Sequence, residues 1–167
     1  IDKTKQVQRL EEFANKLDFV RSNNKNIVSI DEIGFDQRMT PVYGYSLKGT
    51  KAINFTHPTN RKRINVIMAI DDYGKKFYKL FVGPVSRTEF STFIKDMPWP
   101  SETSLIMDNV SFHKTEVVKK TMIEKQYKLL FTPPYTPECN PIENVFSVVK
   151  NSYRKMITDL AITQTNA

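Results

Sequence analysis

The chain has a single cysteine, Cys139, so no disulfide can form within it and a disulfide-stapled extracellular scaffold is excluded. An intracellular setting is expected. Its only two histidines are His57 and His113. With one cysteine, they leave too few ligands for a structural zinc site. Glycine is equally scarce, at 5 residues, and no Gly-rich phosphate loop is present. That argues against a kinase or ATPase of the nucleotide-loop kind. No apolar run approaches the roughly 18 residues a membrane helix needs. The N-terminus lacks the charged-then-apolar pattern of a secretory signal. It also lacks an initiator Met, so Ile1 is expected to be a boundary within a longer protein.

What remains is a well-populated core and a surplus of positive charge. Hydrophobic residues make up 40% of the 167 residues and aromatics 11%, which excludes a disordered chain and suits one domain. The formal net charge is +7, from 25 Lys plus Arg against 18 Asp plus Glu. Such a surplus favours a polyanionic partner such as nucleic acid, although many basic proteins bind none.

Residues 4–19 carry Val7, Leu10, Phe13, Ala14 and Leu17 at helical spacing and predict an amphipathic leading helix. With the polar linker Arg21–Asn26 it forms a first segment, 1–26. Ile27–Ile30 is a short apolar run suited to a buried strand. The stretch 34–56 mixes glycines, Pro41 and aromatics and predicts irregular structure with a short hairpin. Arg63–Ile70 and Lys76–Val82, joined by Asp71-Asp72-Tyr73-Gly74, predict an antiparallel hairpin. Ser86-Arg87-Thr88-Glu89 is a capping box ahead of Phe90, Phe93, Ile94 and Met97. Pro98 and Pro100 end that helix.

Ser104–Met107 is a second buried strand run, residues 114–125 a helix with Val117, Val118, Thr121 and Met122 inward, and Tyr127–Phe131 a fifth strand. Ile142, Val145, Phe146, Val149, Tyr153 and Met156 trace a long apolar helical stripe. After the leading helix the order is strand, strand, strand, helix, strand, helix, strand, helix. That is a mixed α/β fold. Residues 27–157 form its body and 158–167 a tail.

Three acids stand out. Asp31 and Asp108 each follow a short apolar strand, and Glu143 falls on the first turn of the last helix. In an α/β sheet, reactive groups gather beyond the ends of central strands, so adjacent parallel strands would bring the two aspartates together. Like charges in one cleft repel unless cations offset them, and hard oxygen ligands suit Mg²⁺ or Mn²⁺. Two ions at one site could serve in-line attack on a phosphodiester, with Asp31 bridging both, Asp108 on one and Glu143 on the other. Strand alternation sends Asp31 and Glu32 to opposite faces, so only one of them can face such a site. Lys48, Lys51, Arg61 and Arg63 are candidate phosphate contacts.

The motifs Asp31-Glu32-Ile33-Gly34-Phe35, Tyr43-Gly44-Tyr45 with Lys48-Gly49, and Met107-Asp108-Asn109 with His113-Lys114 form one set. Pro134-Tyr135-Thr136-Pro137-Glu138-Cys139-Asn140-Pro141-Ile142-Glu143-Asn144 completes it. Together they resemble the catalytic domain of mariner-like transposases of the DDE type. The resemblance runs from about Ile27 to Tyr153. It implies a ribonuclease H-like fold and a metal-holding Asp, Asp, Glu triad. Residues 109–142, 34 in number, separate Asp108 from Glu143, which is one of that family's spacings.

Carried over residue by residue, Asp31, Asp108 and Glu143 become the catalytic and metal-holding positions, and Asp31 rather than Glu32 is the facing acid. His113 and Lys114 join the candidate DNA contacts. The resemblance further implies cut-and-paste chemistry on transposon ends and target DNA with Mg²⁺ or Mn²⁺. It also implies a homodimer, and a location at DNA, nuclear in a eukaryote and in the nucleoid or cytoplasm of a bacterium. Phe146 stands where the family often has Trp, and Glu138-Cys139 where Asp-Leu is commoner. No room remains before Ile27 for the helix-turn-helix modules that read element ends, so specific end recognition is expected to lie outside this sequence.

Blander readings exist for each acid. Asn140 as N-cap, Pro141 at the first helical position and Glu143 at the third would start a helix without any chemistry. Asp108-Asn109 could be only a turn. Two rivals concern the whole chain: a domesticated domain that binds DNA or a partner without cutting, and another ribonuclease H-like nuclease or resolvase.

Overall fold

The computed structural model describes residues 3–23, 26–36, 46–51, 63–109 and 115–165, with 158–165 by backbone alone. Helix α1, Lys3–Ser22, leads into strand β1, Ile27–Phe35. The hairpin β2, Ile64–Asp71, and β3, Lys76–Val82, comes next, turning at Asp71, whose Oδ1 accepts the Tyr73 and Lys75 backbone N–H groups. Then follow α2, Arg87–Asp96, β4, Ser104–Met107, α3, Glu116–Lys125, and β5, Lys128–Phe131. A 3-10 turn, Pro137–Cys139, precedes the long helix α4, Ile142–Thr165. The predicted order of elements is the observed one.

The five strands form one mixed sheet in the order β3-β2-β1-β4-β5. β1 and β3 run antiparallel to β2, and β4 lies parallel to both β1 and β5. Each face carries its own helices. Val28, Ile30, Ile67, Ala69, Leu105 and Met107 pack one face against α2 and α3. The Ser86 capping box starts α2 as expected: Glu89 N–H donates to Ser86 Oγ, and Ser86 N–H donates to the Glu89 carboxylate. The opposite face has two clusters. Phe13 of α1 covers Ile27, Ile106 and Leu130, and Ile142 and Phe146 of α4 cover Ile33, Phe35, Val66 and Met68. Tyr153 sets its ring edge-on to Phe35 at 4.9 Å, and burial together with the charge of Asp36 pushes its phenol pKa up.

Four local expectations need correction. β1 does not stop at Ile30 but runs five residues further, to Phe35, because its pairing with β2 continues from Asp31↔Met68 to Phe35↔Ile64. Asp31 is therefore a mid-strand residue. In α3, Val117 is exposed, because the helix starts at Glu116 and its buried face falls on Val118, Thr121 and Met122. Met156 is 52% exposed on α4, at the edge of an apolar pocket it shares with Ile33, Phe35 and Ile64, so the packed part of the predicted stripe ends with Tyr153. In α1 only Phe13 is buried, and Val7 stays exposed. Most of the 34–56 stretch lies outside the described residues.

Candidate active site

The parallel register of β1 and β4 decides where the two aspartates meet. The paired positions run from Ile27↔Ser104 to Ser29↔Ile106. Two residues past that last pair, on each strand, stand Asp31 and Asp108. Side chains alternate along a strand, so both point to the face that carries Ile27 and Ile106, the side of α1 and α4. β4 ends just before Asp108, while β1 continues beside β2 alone. The sheet thus opens a notch beside Asp31, and Asp108 sits at its rim. Glu32, on the other face of β1, is exposed.

Glu143 arrives from α4, whose first turn is fixed by the fully buried Ile142 just before it and by Phe146 one turn later. The loop between β5 and α4 is stiff. Thr136 Oγ1–H donates to Pro133 O at 2.6 Å, Asn140 N–H to Pro137 O at 2.9 Å, and Glu143 N–H to Asn140 O at 3.1 Å. Gln6 of α1 ties the loop down from outside, its Nε2 donating to Pro134 O at 3.0 Å. Tyr135 takes a left-handed backbone, φ 61°, and stands exposed at the loop's crest. Asp31, Asp108, Asn109, Asn140 and Glu143 share one cleft with Thr132–Pro137, about 410 Å³ in volume.

The three acids line this cleft without closing on a point. Among the described residues, no group of three His, Cys, Asp or Glu side chains is close enough to hold an ion by itself. An open set of hard oxygens is nonetheless the donor type that Mg²⁺ and Mn²⁺ take, because such ions are commonly bound by one or two carboxylates plus oxygens of the substrate. Asn140 lines the same space, and its Oδ1 is buried with no hydrogen-bond partner among the described residues. The residues present fit a divalent cation.

The proposed DNA contacts are placed less centrally. Lys48 and Lys51 sit in an exposed turn spanning 46–51, and Arg63 is exposed just ahead of β2. None of the three lines the cleft. The Arg63 guanidinium lies over Gly34, in space that a side chain at that position would fill. Arg61, His113 and Lys114 lie outside the described residues. A second groove adjoins the cleft across Asn109 and Thr132–Pro134, about 230 Å³ in volume. Arg9 and Lys16 of α1 line it with Glu12 between them, and sequence reasoning missed both cations. Their seven-residue spacing on one helix face was visible, but the docking of α1 beside β5 was not.

The family model described as DDE superfamily endonuclease matches residues 26–161. The chain belongs to that family. The chain also has close likenesses of fold among solved structures. One is the Mos1 transposase paired-end complex with left transposon end, at TM-score 0.70 and 16% identity, covering 91% of this chain and 49% of that one. The Mos1 mariner paired end complex with Mn matches at 0.65 and 18%, over 89% of this chain and 49% of that one. The catalytic domain of Mos1 mariner transposase matches at 0.62 and 14%, over 91% and 72%. At these identities the likeness gives the fold, ribonuclease H-like. The chain spans about half the length of the transposase chains in the complexes. No curated protein matches it in sequence. No helix among its described residues is long and apolar enough to cross a membrane.

Proposed function

We propose that this chain is the catalytic domain of a mariner-type DNA transposase, cleaving DNA phosphodiesters and joining the freed 3′ ends to target DNA. The observation that carries the reading is the convergence of Asp31, Asp108 and Glu143, from β1, the end of β4 and α4, on one cleft of the sheet. Family membership and the fold shared with transposase complexes support it. The likeness to a complex with Mn supports a divalent cofactor.

Asp31, Asp108 and Glu143 would hold Mg²⁺ or Mn²⁺, two ions per site with DNA bound. The ions, when bound, supply electrostatic stabilisation of charge gathering on the phosphoryl group. Asp31 holds its carboxylate on β1 and Asp108 just past the end of β4, and Glu143 faces them from a helix locked by its own packing. Fixing three charges on three rigid elements costs no rearrangement at the moment of reaction. The cleft then orients the DNA backbone for in-line attack, first by water and later by the 3′-hydroxyl of a cleaved strand. In each step one P–O bond forms as the opposite one breaks. The surplus of +7, with Arg9 and Lys16 beside the cleft, draws in the phosphate backbone. A protein acting on DNA works inside the cell, and the partner is DNA, with a homodimer as the expected assembly.

The test is nicking of supercoiled plasmid in Mn²⁺ or Mg²⁺, run beside an RNA–DNA hybrid and a four-way junction. DNA duplex cut in preference, and only with the metal, is the expected result. Preference for the hybrid or the junction would move the chain to a different nuclease on the same fold. Binding to DNA without cutting in either metal, by this chain and by a longer one extended at its N-terminus, would point to a domesticated binding domain.

A further inference from the structure

Asn140 occupies a position that helix-start chemistry would assign to capping, yet its side chain does not cap. Its backbone is fully used: N–H donates to Pro137 O, and C=O accepts from Glu143 N–H. The side chain turns instead toward Asp31, with Nδ2 donating to Asp31 Oδ2 across a long 3.4 Å. The amide must face this way round, because the reverse would press its oxygen against a carboxylate. Oδ1, on the other arm of the amide, is thereby left without that partner, in a residue that lines the cleft. Asn140 is 3% exposed, and its Oδ1 has no hydrogen-bond partner among the described residues.

A buried amide oxygen without a donor costs free energy unless something else occupies it. A hydrophobic residue would fill the same space without that cost. The surroundings say what suits the oxygen: Asp31, Asp108 and Glu143 line the same cleft, so a cation is favoured over another acceptor.

We propose that Asn140 Oδ1 is a fourth, uncharged oxygen donor of the divalent-cation site, while Nδ2 of the same side chain steers the Asp31 carboxylate. The inference rests on the metal-dependent reading above. A neutral donor adds affinity for the ion without adding to the repulsion among three carboxylates.

The test is Mn²⁺ binding followed by electron paramagnetic resonance on the whole chain, without nucleic acid. Wild type, Asn140→Ala, Asn140→Leu and Asp31→Asn are compared, with melting curves in EDTA beside them. Losing the amide is expected to weaken Mn²⁺ binding about tenfold in both Asn140 variants. Metal-free Asn140→Leu is expected to melt at or above the wild-type temperature, since it removes an unpaired buried oxygen. Asp31→Asn losing Mn²⁺ while both Asn140 variants bind as wild type does would reject the role of Asn140 alone. Metal-free melting far below wild type in both Asn140 variants, with Mn²⁺ affinity unchanged, would show a structural residue instead and also reject it. Wild type and Asp31→Asn binding equally, or neither binding, would reject the metal site itself.

Discussion

Replacing Phe146 by alanine separates the packing that holds Glu143 in place from the chemistry proposed for Glu143. Phe146 is 3% exposed and, with Ile142, is the wedge that seats α4 on Ile33, Phe35, Val66 and Met68. Truncating a buried Phe costs about 3–5 kcal/mol, from lost transfer energy plus the cavity left behind. Against a total stability of roughly 5–15 kcal/mol the variant stays folded in the cold but loses much of its margin. Glu143 stands three residues before Phe146, on the same face of the first turns. A shift of roughly 1 Å in that turn would cut the nicking rate about 100-fold. Urea denaturation gives the stability term, and plasmid nicking at low temperature gives the rate. Met156→Ala is the control, on the same helix but half exposed, and should change stability by no more than about 0.5 kcal/mol. A cost below about 1 kcal/mol for Phe146→Ala, or an equal cost for Met156→Ala, would refute this account of how α4 is seated.

Ser86→Ala should cost about 1 kcal/mol, since it removes the acceptor for the Glu89 N–H. Glu89 itself has its pKa lowered from 4.5, chiefly by the hydrogen bond from the Ser86 backbone. That contribution is present above the unfolded value and is lost as pH falls through the folded one. Glu89→Gln should therefore approach wild-type stability only at acid pH, in urea melts at several pH values. Thr121→Val should lose about 1–3 kcal/mol in the same assay, because the buried Ser91 hydroxyl is left without its 2.6 Å partner. Arg63→Ala should weaken DNA binding across sequences and flatten the salt slope by roughly one, measured by fluorescence anisotropy. An unchanged slope would remove Arg63 from the DNA surface.

The layout of the fold is legible in the sequence because local signals agree with one another. The β-branched runs on either side of Asp71–Gly74, the Ser86 capping box and the stripe from Ile142 to Tyr153 each predict an element that forms. β1 reads short because Asp31, Glu32 and Gly34 interrupt its apolar run. Its continuation depends on pairing with β2, some 35 residues away, which no local pattern reports. The three acids are legible as types and spacing, but their sharing of one cleft rests on the parallel register of β1 and β4. Asn140 misleads for a similar reason. Its sequence context is that of an N-cap, and only the approach of Asp31 across the fold turns the side chain away. Arg9 and Lys16 escape sequence reasoning because their place beside the cleft depends on where α1 docks.

The most direct test of the central claim is metal-dependent nicking by Asp31→Asn, Asp108→Asn and Glu143→Gln, singly and together, each shown to be folded by its melt. If the three carboxylates act as one unit, every single variant falls to background in Mn²⁺ and the triple variant falls no further. Nicking that survives in any folded single variant, or that declines stepwise as the substitutions are combined, would contradict a shared site.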